Sequence, residues 1–168
     1  QSSGLPDLVV TDISWSPANP VAGNEVIFSA TIKNQGTGAT PSGVKHGLGF
    51  FVDDVQVSWN DQHYSSIPPG GTVVLTANWG PQGKASWTAA GGTHTVRAYI
   101  DDTFDIAESN ENNNVYEENI NVSDPGSLPD GLYRIRNLWQ SNQYLYEAGG
   151  QVRYGTPSAS DTSSHWAL

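Results

Sequence analysis

The segment Asp101–Asn114 (DDTFDIAESNENNN) concentrates hard oxygen ligands. Asp101, Asp102, Asp105, Glu108 and Glu111 stand there among four asparagines, with no lysine or arginine between them. Carboxylates at this density suit a hard cation, so these five residues are the candidate metal ligands, with Ca²⁺ as the candidate cofactor. The spacing lacks the alternate acidic positions and central glycine of an EF-hand. The same residues would equally suit a loop whose Asx and Glu side chains satisfy its own backbone amides. Both readings stand at this point.

A second group of residues suits sugars, which offer apolar ring faces and many hydroxyls. Trp59-Asn60-Asp61-Gln62-His63-Tyr64 places an indole beside short planar donors and acceptors. His46, Trp59, Asp61, His63 and Trp87 are the candidate carbohydrate-binding residues of this part of the chain. Trp139, Asn142, Tyr144 and Tyr154 are the candidates further on. Trp87, between KAS and TAAGG, has a loop-like setting and is expected to expose its ring. Trp59 and Trp79 continue the alternation of VQVSW and TVVLTANW, so a packed core position suits them as well. His46 and His63 suit structural hydrogen bonding as much as ligand contact.

Catalysis finds little material. The four histidines lie in different segments, with no HExxH, no GxSxG elbow and no Gly-rich phosphate loop. The chain is therefore expected not to be an enzyme. A net charge of −10 and a pI near 4.5 argue against nucleic acid and anionic lipid as partners. No apolar run approaches a membrane span. The absence of cysteine excludes disulfides and thiolate metal sites. Gln1 reads as the start of a processed or trimmed chain.

The elements that must position these residues are strands. Glu25–Asn34 alternates strictly, with Val26, Phe28, Ala30 and Ile32 on one face. Similar runs recur at Leu8–Val10, Leu48–Val52, Val73–Ala77 and Val96–Ile100, separated by SPANP, NQGTG, VDDV, IPPGG and TAAGG. Asp53-Asp54 reads as a tight hairpin turn. About seven short strands at this spacing predict an all-β antiparallel sandwich of immunoglobulin or fibronectin type. Residues 123–130 (SDPGSLPD) read as a linker, and residues 131–168 as four further short strands.

Residues 6–122 resemble the cell-adhesion-related domain found in bacteria (CARDB). The resemblance rests on PDLVVTDISWSP, TIKNQGTGAT, IPPGG and GTHTVRAYIDD…ESNENNN, in that order. It implies a seven-stranded sandwich in a secreted or cell-surface bacterial protein, of a kind often found beside polysaccharide-degrading domains. Residues 131–168 look like a single ricin-type β-trefoil repeat (GLYRIRNLWQSNQYLYEAGGQVRYG, ending SSHWAL). Tyr146 and Ser164 stand where sugar-binding repeats carry Asp and Gln. A lone repeat of roughly forty residues buries too little surface to fold unaided, which leaves three ways to cover it: completion of a trefoil as a homotrimer, docking on the sandwich, or further sequence in a longer gene product. The resulting expectation is a secreted, non-catalytic module that binds polysaccharide through exposed aromatic rings. The alternative is a structural spacer or adhesion module that oligomerises through its trefoil repeat.

Overall fold

The computed structural model describes residues 4–125, and the backbone alone of the strand residues 132–133, 144–148, 151–155 and 166–167. The chain divides into two compact units, Gln1–Pro125 and Gly126–Leu168. The first unit holds β1 (Leu8–Ser16), β2 (Glu25–Asn34), β3 (Leu48–Val52), β4 (Val55–Asn60), β5 (Thr72–Thr76), β6 (Trp87–Thr88), β7 (Gly92–Ile100) and β8 (Val115–Val122). One sheet runs β1-β2-β5, with the short β6 also on β2; the other runs β4-β3-β7-β8. Every pairing between these strands is antiparallel.

Period-two alternation explains the core. Val26, Phe28, Ala30 and Ile32 of β2 face Leu48 and Phe50 of β3 and Val96, Ala98 and Ile100 of β7, all at most 1 % exposed. Phe28 and Phe50 stack across the two layers with ring centroids 5.8 Å apart.

Two polar devices fix the strand ends. Asn34 is fully buried and fully used: Oδ1 accepts from the Asp7 and Gly36 amides, and Nδ2 donates to the Gly38 and Ile67 carbonyls. Asp53 and Asp54 form the β3–β4 turn with φ of 49° and 66°, the left-handed pair that a two-residue hairpin needs. Aspartate stands here instead of glycine because Asp53 has partners on β7. Its Oδ1 accepts from the Thr95 amide, and its Oδ2 lies 2.7 Å from His94 Nδ1.

In the second unit, β9 (Leu132–Tyr133) pairs with β12 (Trp166–Ala167), and β10 (Tyr144–Ala148) pairs with β11 (Gln151–Gly155). Both pairings are antiparallel.

Candidate functional site

The outer face of the β4-β3-β7-β8 sheet carries a row of aromatic side chains. Registered partners in antiparallel strands share a face. Trp59 of β4 lies opposite Gly49 of β3, which lies opposite Tyr99 of β7, which lies opposite Val115 of β8. Beyond β4 the row continues to Trp79 through an antiparallel bridge, with the Trp59 amide donating to the Trp79 carbonyl at 2.9 Å. Trp79 is 54 % exposed. From Trp79 to Tyr99 is three strand spacings, roughly 14 Å. Phe104, 64 % exposed, extends the row by meeting Tyr99 edge-on at 6.2 Å.

Gly49 makes the row concave. A Cβ there would lie 2.7 Å from Asp102 Oδ2, 2.9 Å from Phe51 Cε2 and 3.1 Å from Gln56 Nε2. The missing side chain lets Asp102 fold over the sheet from the β7–β8 loop. The result is a groove of about 420 Å³, lined by Trp59, Tyr99 and Phe51 with Gln56, Asp61, Asp102 and Thr103. Aromatic floor and planar polar rim are the two components that a sugar site requires.

The groove's charges are lopsided. Burial, and then the neighbouring Asp61, push the Asp102 carboxyl above its usual range. Asp102 Oδ1 is buried without a hydrogen-bond partner. Lys45 Nζ is the cation at this edge, 3.5 Å from Asp61 and 3.8 Å from Asp105.

Beside the groove, the β7–β8 loop gathers Asp101, Glu108 and Glu111 so that one carboxylate oxygen of each lies within 4.8 Å of the others. Asp101 and Glu108 are buried. Desolvation raises Asp101 to about 6 and Glu108 to about 7, with the neighbouring carboxylates adding to both shifts. These groups also organise the backbone. Asp101, in the left-handed region at φ 52°, accepts from the Asp105 and Ile106 amides. Glu108 accepts from the Leu8 amide and from Asn114 Nδ2, and Glu111 accepts from the Glu108 amide. The self-satisfying loop is thus present, with three of its acids convergent. Asp102 and Asp105 stand apart from this trio and belong to the Lys45–Asp61 edge.

His46, His63 and Trp87 lie away from the groove. His46 is fully buried and withdrawn from any ligand face: Nε2 lies 2.7 Å from Thr40 Oγ1, and Nδ1 lies 3.0 Å from the Val44 carbonyl. Burial and the adjacent His63 hold it below the usual histidine range. His63 packs edge-on against His46 at 5.0 Å, with its Nε2 buried and unpartnered, so it supports the loop and lies outside the groove lining.

Trp87 does not present a free ring. β6 pairs with β2 so that Trp87 lies opposite Val26, a core residue, and its ring stacks on Phe28 at 6.1 Å. Its edge lines a separate cavity of about 480 Å³ with His94, Val57 and Gln82. Trp79 moves the other way. After β5 the chain leaves the first sheet, Ala77 still donating to the Phe28 carbonyl while Asn78 already donates to the Trp59 carbonyl. The alternation breaks there and the indole emerges. Trp59 leaves the core because a bulge pairs Phe50 with Ser58 and Phe51 with Gln56. Ser58 takes the inward position and Trp59 the outward one.

Asp61 lines the groove. Tyr99, Phe51, Gln56 and Thr103 were not evident beforehand, since only strand register brings them beside Trp59. Trp139 and Asn142 lie outside the described residues; Tyr144 and Tyr154 are described as backbone only.

The family CARDB matches residues 5–118. The chain is similar to the CARDB domain of a Pyrococcus furiosus protein, whose crystal structure is in complex with di-metal ions. Identity is 23 %, covering 72 % of this chain and 96 % of that one, with a TM-score of 0.53. It is also similar to the solution structure of a domain from a Methanosarcina acetivorans protein. There identity is 22 %, covering 70 % and 92 % of the two chains, with a TM-score of 0.53. No curated protein matches. At these identities the structures speak for the fold, whereas the family match spans more than two thirds of the chain. This all-β antiparallel sandwich belongs to the CARDB family.

Proposed function

We propose that this chain is a non-catalytic module of a secreted or cell-surface protein that binds polysaccharide along the outer face of the β4-β3-β7-β8 sheet. One observation carries the reading: Trp79, Trp59 and Tyr99 share one face across four adjacent strand positions, with a glycine-floored groove between Trp59 and Tyr99. Sugar rings would stack on the indoles, and Gln56, Asp61 and Thr103 would take hydroxyls. The row follows the width of the sheet, so an extended glycan fits it better than a single sugar. Affinity electrophoresis against a panel of soluble polysaccharides tests this. Retardation by at least one glycan is expected, and its loss in Trp59→Ala. A chain that migrates unretarded through every glycan has another function.

A divalent cation at the β7–β8 loop is a second element of the proposal, favoured by the convergence of Asp101, Glu108 and Glu111. The donor set is all hard oxygen and fits Ca²⁺. Asn114, 2 % exposed, leaves its Oδ1 without a partner while its Nδ2 holds Glu108. The Pyrococcus domain in complex with di-metal ions adds support from within the fold family. Such an ion would neutralise buried carboxylates and stiffen the loop that delivers Asp102 to the groove.

The spacer or adhesion reading, with the second unit as an oligomerising trefoil repeat, draws on the nested pairing of β9 with β12 around β10 and β11. A solution mass of three chains by light scattering is its expected outcome.

A further inference from the structure

We infer that the groove between Trp59 and Tyr99 selects glycans carrying free amino groups, of the polyglucosamine type, over acetylated, neutral or acidic ones. The inference rests on the polysaccharide reading above and specifies its ligand class.

Unmatched charge lies beside aromatic faces in this groove. The groove's lining includes two carboxylates, Asp61 and Asp102, and no basic side chain. Asp105 adds a third acid at the same edge, and Lys45 reaches Asp61 and Asp105 only at 3.5 and 3.8 Å. One lysine therefore faces three acids, and it forms no ion pair with Asp102. The Asp102 carboxyl is pressed over Gly47 and Gly49, where an added Cβ would meet its Oδ1 at 2.5 Å and its Oδ2 at 2.7 Å. Half-buried there, it has lost part of its hydration, and the one lysine acting on it, Lys45, is outnumbered by the acids Asp61 and Asp105.

An ammonium group entering the groove supplies that counter-charge. It also approaches the faces of Trp59 and Tyr99, which attract cations through the ring quadrupole. An amino sugar offers both features at once: a ring face to stack and an ammonium beside it. N-acetylation removes the charge. Uronates and sulfates would set like charge against Asp61 and Asp102, in a molecule already carrying −10.

The experiment uses the full chain at mildly acidic pH and physiological ionic strength. Titration calorimetry compares glucosamine oligomers with N-acetylglucosamine, β-glucan and galacturonate oligomers of equal length. Glucosamine oligomers should bind about tenfold tighter than acetylated ones, equivalent to ~1.4 kcal/mol. Asp102→Asn should abolish that preference while leaving weak binding of the acetylated oligomer, and Asp61→Asn should reduce it. Trp59→Ala should weaken both ligands without altering the charge. Glu118→Gln, which neutralises an exposed acid on β8, should change nothing.

Equal affinity for amine and acetylated oligomers overturns the inference and leaves the polysaccharide reading standing. So does a preference that persists in Asp102→Asn, which would reflect net charge alone. If oligolysine binds with the same dependence on Trp59 and no glycan binds, the groove takes basic peptides and both readings fall.

Discussion

His94 and Asp53 form an ion pair at 2.7 Å that ties the β3–β4 hairpin turn to β7, with His94 Nε2 3.0 Å from the Ala90 carbonyl. Both ring nitrogens face acceptors, a geometry that only the imidazolium satisfies in full. The Asp53 hydrogen bond, chiefly, raises the His94 pKa, and the His94 hydrogen bond, chiefly, lowers that of Asp53.

This pair sets a pH window. A raised histidine contributes stability that is complete below its unfolded pKa and fades as pH rises through the folded value. A depressed aspartate contributes above its unfolded pKa and fades as pH falls through the folded value. The pair is therefore strongest between the unfolded values, from about 3.8 to about 6.5. Thermal melts of wild type and His94→Gln should differ most in that window and converge above neutrality. A difference independent of pH would show that packing on Trp87, 5.2 Å away, governs the effect.

Trp79→Ala separates binding from folding. An indole 54 % exposed contributes little to the core, so the melt should shift by no more than about 0.5 kcal/mol. Glycan retardation should nonetheless weaken severalfold. Phe28→Ala gives the contrast, since Phe28 is fully buried between Phe50 and Trp87, and about 3–5 kcal/mol should be lost.

Gly49→Ala probes the groove floor. The new Cβ would press on Asp102, Phe51 and Gln56, all side-chain atoms that can yield by moving outward. A cost of about 1–3 kcal/mol is expected, together with loss of glycan retardation in a protein that still folds. Retained binding would place the ligand on Trp79 and beyond the groove.

Calcium is tested by stability. Millimolar Ca²⁺ should raise the melting temperature and EDTA reverse the rise, because a ligand of the folded state alone stabilises it by mass action. Glu111→Gln should remove most of the response while leaving the loop folded, Glu111 being the exposed member of the trio. A wild-type melt unmoved by either reagent returns the loop to its role as a self-satisfied turn.

Asn34→Ala tests the strand-end device. It would strand the Gly38 carbonyl and the Asp7 and Gly36 amides, and leave the Ile67 carbonyl with the Thr40 amide as its donor, so about 3 kcal/mol should be lost. Chemical denaturation measures this directly. A loss near zero would mean that water replaces the side chain.

Much of the sandwich is legible in the residues alone. The alternation of β2 and β7 names their inward faces, and Asp53-Asp54 marks its hairpin, because these patterns depend on local geometry of period two. The acid-rich loop is legible as a place where carboxylates gather. Which of them converge is not, since Asp101, Glu108 and Glu111 are brought together by the loop's fold, while Asp102 turns the other way over Gly49.

The tryptophans mark the limit most clearly. The residues alone give their strand or loop setting, leave Trp59 and Trp79 open between a packed and a sugar-facing position, and put Trp87 outside. The β4 bulge, the crossing of the chain from one sheet to the other after Ala77, and the pairing of β6 with Val26 decide all three: Trp59 and Trp79 face outward, and Trp87 packs on Phe28. Local periodicity determines which faces a strand has. Only tertiary pairing decides which face is covered, because a one-residue slip in register exchanges the inside for the outside.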